Sequence, residues 1–199
     1  MESIRIGIAG YMGSGKSSFA RELTRYDVEV IDGDIEAKEF MLSSPFIKEA
    51  LAQAFGEQVL TPVGIDFGAL GIASFQSFEN LLTLNRIVHP PLLERLVSRL
   101  TQDEFPRYAL DAALLPLWDA GNLFDARVWV KAPFEARLER TVCRSDGDPQ
   151  EVRRRMELQQ RLFVEPQALP WIVVENTARV ERLALFAEAL VDRLTTQRE

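Results

Sequence analysis

Short apolar runs alternate with helical patterns along most of the chain. Residues 4–9 are rich in isoleucine and apolar on both alternating faces, and glycine follows at position 10. Because both faces are apolar, this run predicts a strand buried within a parallel sheet. Similar runs occur at 28–31, 108–110, 126–130 and 172–174. Strands that alternate with helices predict an α/β fold, with a five-stranded parallel sheet and helices on both faces.

The interval between the second and third predicted strands is too long for one crossover. About 75 residues intervene, whereas a crossover needs about a dozen. Residues 46–55 and 79–100 carry apolar side chains at helical spacing, which predicts an all-helical insert over residues 35–105. We expect Pro90 and Pro91 to divide the second helix, since proline inside a helix removes a hydrogen bond and clashes with the preceding turn.

The region after the fourth predicted strand has the pattern of a helical hairpin. Residues 134–143 form one predicted helix, and Asp148 caps a second that begins at Pro149. A last amphipathic helix has six apolar side chains on one face: Val180, Leu183, Phe186, Leu190, Val191 and Leu194. We therefore predict one domain, whose core comprises 1–34, 106–133 and 164–199 and whose hairpin comprises 134–163.

Composition and charge narrow the possible partners. The chain of 199 residues has 23 Lys and Arg against 30 Asp and Glu, which gives a formal net charge of −7. A broad basic surface for nucleic acid is therefore not expected. One cysteine and one histidine exclude an internal disulfide and most thiolate or imidazole metal sites. Without an apolar leader or a long apolar run, we expect a cytoplasmic protein with neither a membrane nor a nucleic acid partner.

Residues 10–17, Gly-Tyr-Met-Gly-Ser-Gly-Lys-Ser, match the phosphate-loop motif G-x-x-x-x-G-K followed by Ser or Thr. In this motif the glycines let backbone N–H groups face a phosphate, Lys16 neutralises the β- and γ-phosphates, and the Ser17 hydroxyl ligates Mg²⁺. A chance match in a glycine-rich turn is the alternative. Because the motif follows a predicted strand and opens a predicted helix, the sequence favours a genuine phosphate-binding loop.

Three carboxylates follow predicted strands, at the edge of an α/β sheet where ligands bind. Asp32 and Asp34 follow the second strand, and Asp111 ends the third. One of the first two can act as a general base toward an acceptor hydroxyl or hold Mg²⁺ through water, and Asp111 can orient the water shell of the metal. Helix capping is the alternative for Asp32, and Asp111 could likewise cap the segment that follows it.

Basic and imidazole side chains add weaker signals. Arg137, Arg140 and Arg144 fall on one face of the first predicted hairpin helix. They form either a solvated stripe or part of a hairpin that closes over phosphates. His89 lies at the predicted break in the insert. It is either a structural hydrogen-bonding group or a substrate contact.

These motifs occur in an order that resembles one family over nearly the whole chain. The segments that carry the resemblance are the phosphate loop, Asp32-Gly33-Asp34, His89-Pro90, Asp111, Arg140 with Arg144, Arg155 with Gln159, and Glu175-Asn176. Together they are similar to dephospho-coenzyme A kinase. The resemblance implies transfer of phosphate from MgATP to the ribose 3′-hydroxyl of dephospho-CoA, the last step of coenzyme A synthesis. It also implies a P-loop kinase fold with a helical CoA-binding insert and a lid.

On the ATP side, the resemblance implies roles for the phosphate loop, the lid and the end of the chain. Arg140 and Arg144 would be lid arginines, with Arg140 taking part in catalysis, and Asn176 would lie near the adenine. The ATP phosphates would be bound by Gly13, Ser14, Gly15, Lys16, Ser17 and Ser18.

On the acceptor side, the resemblance implies that Asp34 is the base for the ribose hydroxyl. Asp32 would assist at the metal or the ribose, His89 would lie in the acceptor-side domain, and we group Asp111 with them as substrate-binding. The size of the insert predicts a long acceptor, whose pantetheine arm runs over an apolar surface such as the face of residues 81–96.

Three segments depart from the family pattern. Tyr11 stands where the family has a second glycine, and the family's lysine before the last strand is missing from residues 163–171. Within residues 112–119 the proline is displaced to Pro116 and the acidic residue, Asp119, comes later. Two other functions therefore stay open: a nucleoside or nucleotide monophosphate kinase, and a nucleotide-binding P-loop protein with little transfer activity.

Overall fold

A computed structural model of the chain describes residues 3–101, 105–118, 121–166, 170–177 and 180–197. The chain divides into two compact units. The core unit comprises Met1–Gly33 and Leu100–Glu199, and the insert unit comprises Asp34–Arg99. No helix in the described part of the chain is long and apolar enough to cross a membrane.

Seven strands and eight α-helices form the regular structure of the described residues. The strands are β1 (Ile4–Ala9), β2 (Glu29–Asp32), β3 (Leu60–Thr61), β4 (Gly64–Ile65), β5 (Arg107–Asp111), β6 (Ala126–Lys131) and β7 (Trp171–Glu175). The helices are α1 (Lys16–Leu23), α2 (Gly33–Ser43), α3 (Pro45–Phe55), α4 (Phe67–Ser74), α5 (Phe78–Leu100), α6 (Phe134–Ser145), α7 (Pro149–Gln160) and α8 (Val180–Thr196).

Five parallel strands form the sheet of the core unit, in the order β2-β5-β1-β6-β7. The central strand β1 is buried from Ile6 to Ala9, and the side chains of Ile6 and Ile8 are fully buried. Each such side chain contributes about 1.5–3 kcal/mol relative to an exposed position. Phe19 of α1 and Leu190 of α8 belong to the same apolar cluster. The predicted fold class is therefore confirmed.

Helix α5 shows that our prediction for the prolines was wrong, because it runs for 23 residues with Pro90 and Pro91 inside it. A proline removes only its own N–H donor, so the turns on either side keep their hydrogen bonds. The helix buries Val88 before the pair and Leu92 and Leu96 after it. Each buried side chain contributes about 1.5–3 kcal/mol, so the three contribute about 4.5–9 kcal/mol, which is comparable with the roughly 3 kcal/mol that each of the two prolines costs.

We predicted an all-helical insert, and this prediction was wrong. Strands β3 and β4 form an antiparallel hairpin, in which Leu60 pairs with Ile65 and Thr61 with Gly64. Gly64 has a φ of 152°, a conformation that favours glycine. Pro62 lies in the turn of this short hairpin, and Gly64 is the first residue of its second strand.

The two helices of the predicted hairpin are present as α6 and α7. The carboxylate of Asp148 caps α7, since it accepts hydrogen bonds from the backbone N–H groups of Gln150 and Glu151. On the last helix, α8, our assignment of Phe186 to the buried face was wrong. Its side chain is 44% exposed, whereas Ala187 is buried.

Candidate active site

The phosphate loop joins the buried end of β1 to the first turn of α1. Gly13 and Gly15 have φ values of 76° and 97°, in the left-handed region that favours glycine. Left-handed residues that alternate with right-handed ones turn successive backbone N–H groups toward one side, which creates an anion-binding concavity. Because α1 begins at Lys16, directly after the loop, the positive end of the helix adds to this site.

Both glycines also lie where a side chain has no room. A Cβ atom at Gly13 would collide with the backbone carbonyl oxygen of Arg137 and with the hydroxyl of Thr141. A Cβ atom at Gly15 would collide with the side-chain amide of Asn176. The loop is therefore held closely by α6 and by the residue that follows β7.

Lys16 faces a buried carboxylate at the carboxyl edge of the sheet. Its Nζ lies 3.7 Å from Oδ1 of Asp111, whose side chain is 4% exposed. In the strand register, Asp111 of β5 lies between Ile8 of β1 and Asp32 of β2. The structure thus brings Lys16, Asp111 and Asp32 to one edge of the sheet, the edge at which α/β proteins bind ligands.

Asp34 lies in the first turn of α2, where it is exposed. It is the second residue of that helix, so it does not have the position of the helix cap. Asp32 lies directly before α2, and the capping role therefore stays open for it. Exposure leaves the carboxylate of Asp34 accessible to a substrate.

Both helices of the hairpin contact the backbone of the phosphate loop. From α6, Arg137 donates from Nη1 to the carbonyl of Met12 at 3.3 Å, and Arg140 donates from Nη1 to the carbonyl of Gly13 at 3.4 Å. From α7, Gln159 accepts a hydrogen bond at Oε1 from the N–H of Met12 at 2.8 Å. The loop contact of Arg137 is a feature that sequence reasoning missed.

The three predicted arginines therefore have different surroundings. Arg137 is 3% exposed, Arg140 is half-buried and Arg144 is exposed. Burial lowers the pKa of the Arg137 guanidinium from its ordinary value, yet an arginine stays charged at neutral pH. The interpretation of all three as a solvated stripe is wrong for Arg137, and it fits Arg144.

Asn176 lies directly after β7 and contacts the phosphate loop. Its backbone N–H donates to the carbonyl of Lys131 at 2.7 Å, and its side-chain Nδ2 donates to the carbonyl of Ser14 at 2.8 Å. The side chain is buried. It therefore orients the loop backbone, and its contact with the adenine of ATP stays a prediction.

An aromatic cluster that the sequence did not reveal packs beside the loop. Tyr11 stacks on Phe163 with ring centroids 5.2 Å apart and meets Trp129 edge to face at 5.0 Å. The Tyr11 hydroxyl donates to the backbone carbonyl of Phe163 at 3.0 Å. Burial, followed by the charge of Glu165, raises the pKa of Tyr11, which keeps the phenol protonated. The available signal was that Tyr11 and residues 163–171 both depart from the family pattern, and the structure places these departures in contact.

The altered segment after β5 packs against β1. The N–H of Ala112 donates to the carbonyl of Ile8 at 2.9 Å. Leu115 is buried, and it lies so close to Gly7 that a Cβ atom there would have to displace it. Pro116 lies in a 3₁₀ turn over Leu115–Leu117, and Asp119 lies outside the described residues.

In the insert unit, His89 lies within α5 directly before Pro90 and is half-buried. Burial lowers the pKa of His89 to about 4, so its imidazole is neutral at pH 7. A neutral imidazole donates one hydrogen bond and accepts another but brings no charge to a phosphate. His89 thus fits hydrogen bonding better than charge neutralisation.

Burial contradicts most of the pantetheine surface that we predicted on α5. Leu81, Val88, Leu92 and Leu96 are at most 4% exposed, whereas Leu84 and Ile87 are half-buried. An acceptor cannot lie along side chains that are already buried. The helical spacing that identified this face is the spacing of a core-facing helix.

A parallel sheet with a phosphate loop after its central strand, a lysine at the start of the next helix and arginines from a helical hairpin defines a P-loop kinase. Comparison with known proteins gives the family within that class. The family model described as Dephospho-CoA kinase matches residues 4–181. The chain belongs to the dephospho-CoA kinase family, which confirms the resemblance in its sequence, and it is an ATP-dependent kinase.

Individual relatives agree with this assignment. The dephospho-CoA kinase of Bacillus licheniformis is 34% identical over 193 residues, which cover 94% of both chains. That of Thermobifida fusca is 33% identical over 183 residues, or 90% of both chains. A crystal structure of a Thermus thermophilus protein superposes with a TM-score of 0.71 at 29% identity, over 98% of this chain and 99% of that one. The Campylobacter jejuni dephospho-CoA kinase shares the fold, with a TM-score of 0.59 at 15% identity over 96% of this chain and 97% of that one.

Proposed function

We propose that this protein transfers the γ-phosphate of ATP to the ribose 3′-hydroxyl of dephospho-CoA, the last step of coenzyme A synthesis. The family match over residues 4–181 carries the proposal, and a phosphate loop whose Lys16 lies 3.7 Å from Asp111 supports it. Two other functions, a nucleoside or nucleotide monophosphate kinase and a binding protein with little transfer activity, are the alternatives that an experiment must separate.

On the donor side, the phosphate loop binds the phosphates of ATP. Its backbone N–H groups hold phosphate oxygens, and Lys16 neutralises the charge on the β- and γ-phosphates. Such positioning and charge neutralisation account for most of the catalysis of phosphoryl transfer.

The oxygen atoms beside the loop fit a magnesium ion. The hydroxyl of Ser17 is exposed in the first turn of α1, and the carboxylates of Asp32 and Asp111 belong to neighbouring strand ends. Hydroxyl and carboxylate oxygens are ligands that Mg²⁺ prefers. When bound, Mg²⁺ neutralises phosphate charge. Ser17 would ligate it, and Asp32 and Asp111 would orient its water ligands.

On the acceptor side, Asp34 would act as the general base. The ribose 3′-oxygen attacks the γ-phosphorus, the bond from that phosphorus to the β,γ-bridging oxygen breaks, and ADP leaves. The proton of the 3′-hydroxyl passes to the carboxylate of Asp34. His89 and the insert, residues 35–105, would bind the acceptor.

The hairpin over residues 134–163 would act as the lid. Arg140 and Arg144 would approach the transferred phosphoryl group, where guanidinium groups stabilise charge on the equatorial oxygens. Closure of the hairpin would also exclude water, which would otherwise compete with the ribose hydroxyl for the phosphoryl group.

Product analysis tests this proposal. With ATP, Mg²⁺ and dephospho-CoA, the protein should form ADP and coenzyme A in equal amounts, and phosphorus NMR should place the new phosphate on the ribose 3′-oxygen. Parallel reactions with AMP and adenosine identify the first alternative, since product from AMP alone would favour it. ATP binding without product from any acceptor would favour the second.

A further inference from the structure

We propose that Arg137 is a positioning residue, which orients the phosphate loop for ATP by fixing the carbonyl of Met12. This inference rests on the proposed function, because it concerns how the loop binds ATP. It adds a residue that would act on the reaction through the loop backbone rather than through contact with substrate.

The guanidinium of Arg137 makes two hydrogen bonds and two contacts with aromatic rings. Its Nε donates to the carbonyl of Ala132 at 3.2 Å, and its Nη1 donates to the carbonyl of Met12 at 3.3 Å. Its central carbon lies 5.1 Å from the ring centroid of Tyr11 and 5.2 Å from that of Phe134. Ala132 follows β6 directly, so one planar guanidinium joins the end of β6 to the loop.

Fixing the Met12 carbonyl also fixes the next N–H group. The carbonyl of Met12 and the N–H of Gly13 belong to one planar trans peptide group, in which they point in opposite directions. Because the carbonyl faces Arg137, the N–H of Gly13 faces away from α6. The N–H of Met12 is engaged by Gln159, so both backbone groups of Met12 have partners in the hairpin.

The same geometry recurs at the next two peptide groups. Arg140 bonds the carbonyl of Gly13, and Asn176 bonds the carbonyl of Ser14. Three side chains therefore hold three consecutive carbonyls and with them the orientation of the next three N–H groups, of which the N–H of Ser14 bonds the carbonyl of Tyr11 at 3.0 Å. Among the three, Arg137 is the buried charge, and hydrogen bonds from a charged donor are about twice as strong as neutral ones.

A purely structural role for Arg137 predicts different kinetics from a positioning role. In the structural case, its replacement lowers the melting temperature and leaves ATP binding by the folded protein unchanged. In the positioning case, ATP affinity falls while the affinity for the acceptor does not. The measurement is therefore the Kd for ATP and the KM for each substrate, together with the melting temperature.

Arg137→Met keeps an unbranched apolar side chain but removes the charge and both hydrogen bonds. We expect its Kd and KM for ATP to rise about tenfold or more, with the KM for dephospho-CoA changed less than about threefold. Arg137→Lys keeps the charge, but its single ammonium group cannot reproduce the planar guanidinium that bonds both carbonyls. Its Kd for ATP should therefore lie between those of the wild type and Arg137→Met. Trp129, which contacts Tyr11, provides an intrinsic fluorescence signal for the ATP titrations.

Arg153→Met is the matched control. Arg153 lies 5.1 Å over the same Phe134 ring and pairs with Glu135 at 2.9 Å on the exposed side of the hairpin. Arg153→Met should bind ATP as the wild type does.

Wild-type ATP affinity in folded Arg137→Met would overturn the proposal, and if that variant does not fold, wild-type affinity in Arg137→Lys would do so. A wild-type protein that binds no ATP would overturn the proposed function as well, whereas normal wild-type turnover with unchanged variants would overturn only the role of Arg137.

Discussion

Lys16, Asp34 and Arg137 would act on three different partners, which allows their roles to be separated. Lys16 would neutralise the phosphates of the donor, Asp34 would take the proton of the acceptor, and Arg137 would orient the loop backbone. A change at each residue should therefore alter a different kinetic quantity. Lys16 and Arg137 are located by contacts in the core unit, whereas Asp34 is located by its place in the first turn of α2.

Lys16→Ala should abolish phosphoryl transfer with MgATP, because it removes the cation that neutralises the β- and γ-phosphates. It also leaves the buried carboxylate of Asp111 without its lysine, so a melting curve must accompany the assay. Unchanged turnover in correctly folded Lys16→Ala would refute the phosphate-loop assignment.

Asp34→Asn should lower kcat by about 10²–10⁴-fold, the range for loss of a general base. The Kd for ATP should stay near that of the wild type, since a base acts on the proton of the acceptor. Glu39→Gln, an exposed carboxylate on the same helix, is the control. Single-turnover kinetics and an ATP titration separate the two effects. A rise in the Kd for ATP by the same factor, with chemistry unchanged, would make Asp34 a binding residue instead.

At the scale of elements, the hairpin and α5 show how tertiary contacts modify local patterns. The spacing of Arg137, Arg140 and Arg144 placed them on one helix face, but packing against the phosphate loop buries the first and leaves the last exposed. In α5, the local cost of Pro90 and Pro91 is offset by burial of apolar side chains on both sides. Both outcomes depend on contacts that the local sequence does not contain.

Arg144→Ala should lower kcat/KM for phosphoryl transfer and leave the melting temperature nearly unchanged, because an exposed arginine contributes little to stability. Arg140→Ala should act in the same direction with a small loss of stability, since Arg140 is half-buried and bonds the loop. Steady-state assays and thermal melts measure the two quantities. Normal kinetics combined with a large fall in melting temperature would show that these arginines are structural.

His89 should make the stability of the fold depend on pH. Burial holds its pKa near 4, below the ordinary value of 6.5, so the unfolded chain binds a proton more readily than the folded one. The free energy of unfolding should therefore fall as the pH falls from about 6.5 toward about 4, by on the order of 2 kcal/mol from this group. Urea unfolding at pH 7, 5.5 and 4.5 should show a shallower dependence for His89→Gln. Parallel curves for the two proteins would contradict this effect.

For the whole molecule, the fold could be predicted because its signals are local. Each strand of the core is a short apolar run, and the phosphate loop is a contiguous motif between a strand and a helix. Lys16, Asp32 and Asp111 could be placed together because the carboxyl ends of parallel strands meet at one edge. The antiparallel hairpin of the insert was missed because its strands have only two residues each, too few for a periodic pattern.

The contacts that hold the phosphate loop in place could not be predicted, because they join residues that are far apart in the sequence. Tyr11 and Phe163 are 152 residues apart in sequence, and Arg137 is 125 residues from Met12. No periodic pattern links residues at such separations. The departure of Tyr11 from the family pattern indicated that this position is unusual. Its partners, Trp129 and Phe163, come from β6 and from the helical hairpin over residues 134–163, so only the folded structure identifies them.

The most direct test of the proposed function compares acceptors under identical conditions with MgATP. The kcat/KM for dephospho-CoA should exceed that for AMP or adenosine by a wide margin, because binding energy from the remote part of a long acceptor helps to orient the reacting hydroxyl. Equal or higher kcat/KM for AMP would contradict the assignment of dephospho-CoA as the acceptor and would favour a nucleotide monophosphate kinase.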